Sequence, residues 1–147
     1  MASIKAVRFA APKFMPVDGC AAFINDKVVL SANPTAADTL DFKIPAGLEI
    51  SSVAIQCDDL DTNGAPTLVF SAGYRAADTG SALAANATYF AAAGQTTAQA
   101  GGRLECSFKP ITFNEDVILQ LTIGTASATF AAGEVHAIVA GNTIGPK

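Results

Sequence analysis

The sequence predicts an all-β protein, built as an antiparallel β-sandwich or barrel. Apolar and polar residues alternate with period two in several separate stretches, as they do in strands that bury one face. Turn residues, chiefly Gly, Pro and Asn, divide these stretches at intervals of roughly 8–12 residues, the spacing typical of short antiparallel strands. The rhythm of strand and crossover helix is absent, which disfavours a parallel sheet.

The composition indicates a folded chain with few charges. Half of the 147 residues are hydrophobic and 15% are charged, which argues against intrinsic disorder and fits a single domain over residues 1–147. The surface is expected to be rich in Ala, Thr, Ser, Gly and Asn, which suits packing against other protein copies. The net charge of −4, with scattered Lys and Arg, disfavours nucleic-acid binding.

The sequence also predicts no membrane contact and no cofactor. No apolar run has the length of a membrane span, and the first residues lack a secretory signal, so we expect the protein to stay in the cytoplasm in which it is made. Cys20, Cys57 and Cys106 show no paired spacing. We interpret them as buried free thiols rather than as a zinc site or disulfide framework.

The first 20 residues are irregular and form a possible N-terminal arm. Pro12 and Pro16 bracket Lys13, Phe14 and Met15. An extended arm lying on a neighbouring protein is one interpretation, with these three residues as contacts. An edge strand is the other interpretation.

Residues 39–57 predict two strands joined by a tight turn. Leu40, Phe42 and Ile44 alternate with polar residues, and Pro45-Ala46-Gly47 then supplies turn chemistry. In the second strand the apolar positions 48 and 50 are out of phase with positions 53, 55 and 57. This change of phase predicts a bulge or bend at Ser51–Ser52.

An acidic loop follows the second strand. Asp59, Asp61, Asn63 and Gly64 match the D-x-D-x-N-G opening of an EF-hand loop, in which oxygen side chains surround a hard cation. The position that should supply a bidentate Glu is Phe70, and no flanking helices are predicted. We therefore favour a tight connection in which Asp and Asn side chains bond their own backbone and Gly64 takes a positive φ. A cation held by Asp59, Asp61 and Asn63 is the alternative.

A third strand ends near Tyr74, and residues 78–102 then break the pattern. This segment is rich in alanine, and Leu83, Ala87 and Phe90 approach helical spacing. It is predicted as a short helical or irregular insertion in the sandwich, with a strand through Thr88–Ala92 as the alternative. Long insertions between strands often carry function.

The C-terminal third returns to strand patterns. Alternation is present at 103–109, is cleanest at 117–123, and recurs at 135–140, where both faces are fairly apolar. A strand with two apolar faces is expected in the centre of a sheet or at an interface.

No catalytic constellation is present. His136 is the single histidine in the sequence, which argues against a His-metal cluster or a Ser-His-Asp triad, and no serine lies in a nucleophile elbow. Asp58, Asp59 and Asp61 lie in one turn, unlike the two carboxylates that face each other across a glycosidase cleft. We expect no catalytic residue and no enzymatic activity.

Two runs between residues 43 and 68 resemble segments of a known protein family. The run KIPAG at 43–47, and DDLDTNGAPTL at 58–68 with the aliphatic strand that follows it, are similar to segments of small structural proteins of tailed bacteriophages. In particular, they resemble head cement or decoration proteins with jelly-roll folds. The rest of the chain is similar to this family in its length, its pattern of predicted β-strands and its low content of charged residues.

The resemblance implies a jelly-roll β-sandwich without catalytic residues. It implies a virion protein, assembled in the host cytoplasm, that binds the outside of the capsid as a homodimer or homotrimer and braces subunits of the major capsid protein. Tyr89 and Phe90 are then candidate contacts. Related sandwiches occur in phage tails and fibres, so the alternative is a module that binds a host glycan, with Tyr74, Tyr89 or Phe90 as the stacking platform.

Overall fold

The computed structural model describes residues 1–10 and 20–144, which form a sandwich of two β-sheets. The strands are β1 (Ser3–Lys5), β2 (Ala21–Leu30), β3 (Thr39–Ile44), β4 (Leu48–Cys57), β5 (Val69–Ala76), β6 (Asn86–Gln95), β7 (Gly102–Glu105), β8 (Ile111–Thr112), β9 (Val117–Thr125) and β10 (Gly133–Thr143). The all-β sandwich prediction is confirmed. Within the described residues, no helix is long and apolar enough to cross a membrane.

The strand order is that of a jelly roll. The first sheet has the order β1-β3-β9-β5-β6, and the second has the order β2-β10-β4-β7, with the short β8 beside β4. Apart from the parallel pair β1–β3, these strands pair antiparallel. The chain passes repeatedly between the sheets, so that its principal strands wind as two Greek keys.

The core lies between the two sheets, and the period-two pattern decides which residues enter it. Phe42 and Leu119 point inward and are almost fully buried, whereas Lys43 and Gln120 beside them retain solvent exposure. Apart from Ala54 and Ile118, the buried apolar side chains of the described residues form a single cluster. Transfer of their surface out of water is the main stabilising term of such a fold.

The three cysteines are free thiols in different environments. Cys57 is buried, Cys106 is half-buried and Cys20 is exposed, so the prediction of burial is wrong for Cys20, which lies just before β2 at the end of the sheet. Burial raises the pKa of the Cys57 thiol to about 12 and that of Cys106 to about 11. Both thiols are therefore protonated and unreactive at neutral pH.

The bulge predicted in β4 is present. Ala140 of β10 pairs with Ser52, and Gly141 pairs with Ile50, so Ser51 has no partner in the ladder. This extra residue turns positions 48 and 50 toward the same side as 53 and 55, and the core face of β4 stays apolar throughout.

Residues 78–102 consist of an irregular stretch followed by a strand, rather than a helical insertion. Residues 77–85 are irregular, but Asn86–Gln95 form β6, and only Thr97–Gln99 are helical, as one turn of 3-10 helix. The helical prediction is wrong because the pairing of β5 with β6 shifts register twice, which destroys the period-two pattern. The alternative strand through Thr88–Ala92 is confirmed.

The N-terminal segment closes one edge of the sandwich. After β1, the Ala6 amide donates to the Asp41 carbonyl (2.8 Å) and the Val7 amide donates to the Lys27 carbonyl (2.6 Å), so the segment bridges the edges of β3 and β2. The edge-strand interpretation therefore fits Ser3–Lys5. The predicted contacts Lys13, Phe14 and Met15 lie outside the described residues.

Substitution of Gly141 tests the packing at the bulge. A Cβ at this position would lie 1.9 Å from the Glu49 carbonyl oxygen, so the backbone must shift to admit it. We expect Gly141→Ala to lower the free energy of unfolding by about 1–3 kcal/mol, the usual cost of overpacking. Urea denaturation measures the change. The matched control is Gly64→Ala, because a Cβ at Gly64 meets nothing within 4 Å. Equal stability of the two variants would contradict the crowding.

Candidate interaction surfaces

Asp61 is the centre of the acidic loop. Its side chain is buried, and four backbone amides donate hydrogen bonds to its carboxylate. Thr67 (2.7 Å) and Leu68 (3.1 Å) donate to Oδ2 from the same connection. Ala128 donates to Oδ2 (3.0 Å) and Thr129 to Oδ1 (2.9 Å) from the connection between β9 and β10. One carboxylate therefore joins two loops that are far apart in the sequence.

The amides keep this carboxylate ionised. Burial raises the pKa of Asp61, but the hydrogen bonds from Thr129, Thr67, Ala128 and Leu68 outweigh it and hold the pKa well below the ordinary value of 3.8. Since the folded-state pKa is depressed, the resulting stabilisation is complete above the unfolded-state pKa and is lost as the pH falls through the folded-state value.

The remaining side chains of the loop also bond to protein groups. Asp59 Oδ1 accepts a bond from the Asp61 amide (3.1 Å), and Asn63 Oδ1 accepts one from the Ala65 amide (2.9 Å). These are the local backbone bonds of a tight connection. Gly64 does not take the predicted positive φ. Within residues 1–10 and 20–144, no group of three His, Cys, Asp or Glu residues is placed to hold a metal ion.

Four connections meet at this end of the sandwich, and we call residues 31–38, 58–68, 96–101 and 126–132 together the loop end. Asn33 and Ser127 exchange two hydrogen bonds (3.0 and 3.2 Å), and Ser127 Oγ donates to the Leu60 carbonyl (2.9 Å). The Leu60 amide donates to the Ala98 carbonyl (2.9 Å). All four connections are thus tied to one another. The exposed residues are mostly small and uncharged.

A second surface lies on the outer side of β2. The strand alternates strictly, so Phe23, Asn25, Lys27 and Val29 point away from the core. Phe23 is 77% exposed and Val29 is 51% exposed, and Val7, bonded to the middle of the strand, is 63% exposed. We call these five residues the β2 face. Exposed apolar side chains gathered in one place are typical of interaction surfaces.

The neighbouring strand continues this surface. On β10, Ala140 pairs with Phe23 and Ile138 with Asn25. Lys27 Nζ lies 2.6 Å from Glu134 Oε1, and His136 Nε2 lies 3.1 Å from Glu134 Oε2. The hydrogen bond from Lys27 lowers the pKa of Glu134. The Lys27 charge is therefore already paired on the protein's own surface.

The aromatic residues predicted as glycan platforms or partner contacts pack against one another. The ring centroids of Tyr74 and Phe113 are 4.7 Å apart, and those of Phe90 and Phe108 are 4.8 Å apart. Phe90 is 2% exposed and belongs to the core. Tyr89 is half-buried, and its hydroxyl donates to the Lys109 carbonyl (3.0 Å). The cluster joins β5 and β6 to residues 106–113, and the rings mostly meet edge to face, a stabilising arrangement in cores.

The β2 face is the surface that sequence analysis missed. Residues 21–30, AAFINDKVVL, were not assigned to a strand, although apolar residues occupy both phases of the period-two pattern. Ile24 and Val28 enter the core, whereas Phe23 and Val29 face outward. An apolar residue in the exposed phase is the signal that identifies such a face.

Substitution of Asp61 tests its role in joining the two loops. Asp61→Asn removes the charge and one of the two acceptor oxygens, so we expect a lower melting temperature and a larger loss than that caused by Asp59→Asn, whose carboxylate accepts a bond from one amide of its own loop. The difference between wild type and Asp61→Asn should be full at neutral pH and shrink as the pH falls below 3.8. Thermal melts over pH 2.5–7 measure both effects, using the range over which an aspartate titrates. Equal losses for the two variants at neutral pH would argue against the role.

Comparison with known proteins places the fold. No protein-family model matches the chain, and no curated protein matches it. A chain in the solved capsid of Ralstonia phage GP4 matches it with a TM-score of 0.76 and 24% identity, over 99% of this chain and 100% of that chain. A chain in the capsid asymmetric unit of cyanophage Pam1 matches with a TM-score of 0.70 and 25% identity, over 90% of this chain and 91% of that chain. The protein therefore shares its fold with chains of two phage capsids, which supports a structural protein of a phage virion.

Proposed function

We propose that this protein is a non-enzymatic component of a phage virion that binds the outer surface of the capsid and stabilises contacts between major capsid protein subunits. The match of its fold, over 99% of the chain, to a chain of a phage capsid carries the proposal. The second capsid match supports it. The resemblance of residues 43–47 and 58–68 to phage cement proteins points the same way.

The geometry of the loop end suits a docking surface. The Asp61 carboxylate and the Ser127 hydroxyl fix the connections to one another before any partner arrives. An ordered surface loses less conformational entropy on binding than a flexible one. Small uncharged residues such as Ala36, Thr62 and Ala65 are exposed there, and they give up little hydration when they are covered.

The unpaired thiols fit assembly in the host cytoplasm. Cys57 and Cys106 are unpaired, as is usual in a reducing compartment. The fold therefore does not rely on a disulfide for its stability, and the sandwich core and the hydrogen-bonded loop end hold it together.

Capsid binding is tested directly by co-sedimentation. Purified protein is mixed with expanded and with unexpanded capsids that lack it, and the capsids are pelleted. We expect the protein to pellet with at least one form and to raise the temperature at which that form dissociates, because bound protein stabilises the state to which it binds. Failure to pellet with either form sinks the proposal.

A charge at the loop end tests whether this surface makes the contact. We expect Ala65→Glu to weaken binding to capsids roughly tenfold or more, because a carboxylate would be buried without a partner. The matched control is Ala85→Glu, an exposed alanine in the connection between β5 and β6. If both variants bind capsids as strongly as the wild type, residue 65 is not part of the contact. That result would not contradict capsid binding itself.

A further inference from the structure

We infer that the β2 face is a self-association surface, on which β2 of a second copy of this chain lies antiparallel to β2 of the first. The large hydrophobic side chains exposed within the described residues are Met1, Val7, Phe23 and Val29. Phe23 and Val29 belong to β2, and Val7 is bonded to its middle. The exposed apolar surface is therefore concentrated on one strand at the edge of the second sheet.

The order of side chains along β2 is self-complementary. Between residues 23 and 29 the outward residues are Phe23, Asn25, Lys27 and Val29, so the polarity of this stretch is apolar, polar, polar, apolar in either direction. A twofold axis through the position of Asp26 places Phe23 of one copy against Val29 of the other, and Asn25 against Lys27. Contacts of this kind, with the same patch on both copies, are what closed dimers require.

The charges on this surface permit such a contact. In the antiparallel register Lys27 meets Asn25 of the second copy and not another lysine. Its ammonium is already paired with Glu134 at 2.6 Å within its own chain. The approach of a second copy therefore brings no like charges directly opposite each other, and the central polar pairs exchange hydrogen bonds.

The geometry favours contact through the face over extension of the sheet. The Val7 amide donates to the Lys27 carbonyl, which occupies the middle of the free edge of β2. A second β2 strand therefore has no continuous edge to pair with, whereas Phe23 and Val29 remain 77% and 51% exposed beside the residues that the structure describes. The long strands β2, β10 and β4 give a face of roughly 15 Å by 34 Å, about 500 Å² of the ~800 Å² per partner that standard interfaces bury.

The antiparallel register is tested by mixing two single-cysteine variants. In a background with Cys20→Ser and Cys106→Ser, one sample carries Ala21→Cys and the other carries Ser31→Cys, two exposed positions that leave Phe23 and Val29 in place. A short bismaleimide should give a cross-linked dimer only in the mixture, because residue 21 of one copy lies opposite residue 31 of the other. Within each sample alone, the two thiols of a dimer are about 33 Å apart, roughly ten residues along a strand.

Two results overturn the inference. One is cross-linking of either variant alone as strongly as in the mixture, and the other is a wild-type protein that stays monomeric in sedimentation equilibrium. We also expect Phe23→Ser to weaken dimer formation roughly 30-fold, the effect of losing an aromatic anchor. Ala93→Ser, at an exposed position on β6 of the other sheet, is the control. Both substitutions are on the surface, and unchanged melting temperatures confirm that the variants fold.

Capsid binding and self-association are separable in these experiments. A monomeric wild-type protein that pellets with capsids refutes this inference alone. A dimeric protein that fails to pellet refutes the proposed capsid role alone. The inference thus stands on the residues of β2 and does not depend on the proposed function.

Discussion

The Asp61 carboxylate is the contact on which the arrangement of the two sheets most depends at the loop end. The connection from β4 to β5 and the connection from β9 to β10 both carry the chain from one sheet to the other. Amides from both connections converge on this one buried anion. A single side chain therefore fixes the relative position of these two connections. The mostly uncharged surface around them is ordered because these hydrogen bonds hold it in place.

The sequence predicted the strands in which one face is buried and apolar and the other face is more polar. Leu40, Phe42 and Ile44 of β3, and the bulge in β4, were found because a buried apolar face alternates with a more polar one. β6 was predicted only as an alternative, because two register shifts interrupt its period. β2 was missed, because Phe23 and Val29 place apolar residues in the exposed phase as well.

The chemistry of the acidic loop shows a different limit of sequence patterns. Spacing located a set of oxygen side chains, and the same spacing serves an EF-hand loop. What distinguishes the two cases is the partner: two of the amides that reach Asp61 come from Ala128 and Thr129, which no local pattern connects with residue 61. Long-range hydrogen bonds of this kind can be identified only when the fold is known. They give Asp61 a structural role, which is to hold two loops together.

The pairing of β2 with β10 has a consequence for folding during synthesis of the chain. β2 (Ala21–Leu30) pairs along its whole length with β10 (Gly133–Thr143), so residues at least 103 positions apart in the chain, the separation of Leu30 and Gly133, lie side by side. The second sheet cannot close until β10 has been synthesised and has left the ribosome, and contacts of such long sequence separation form slowly. Until that moment the outward Phe23 and the inward Ile24 are both uncovered. Newly made chains are therefore most exposed to aggregation at β2.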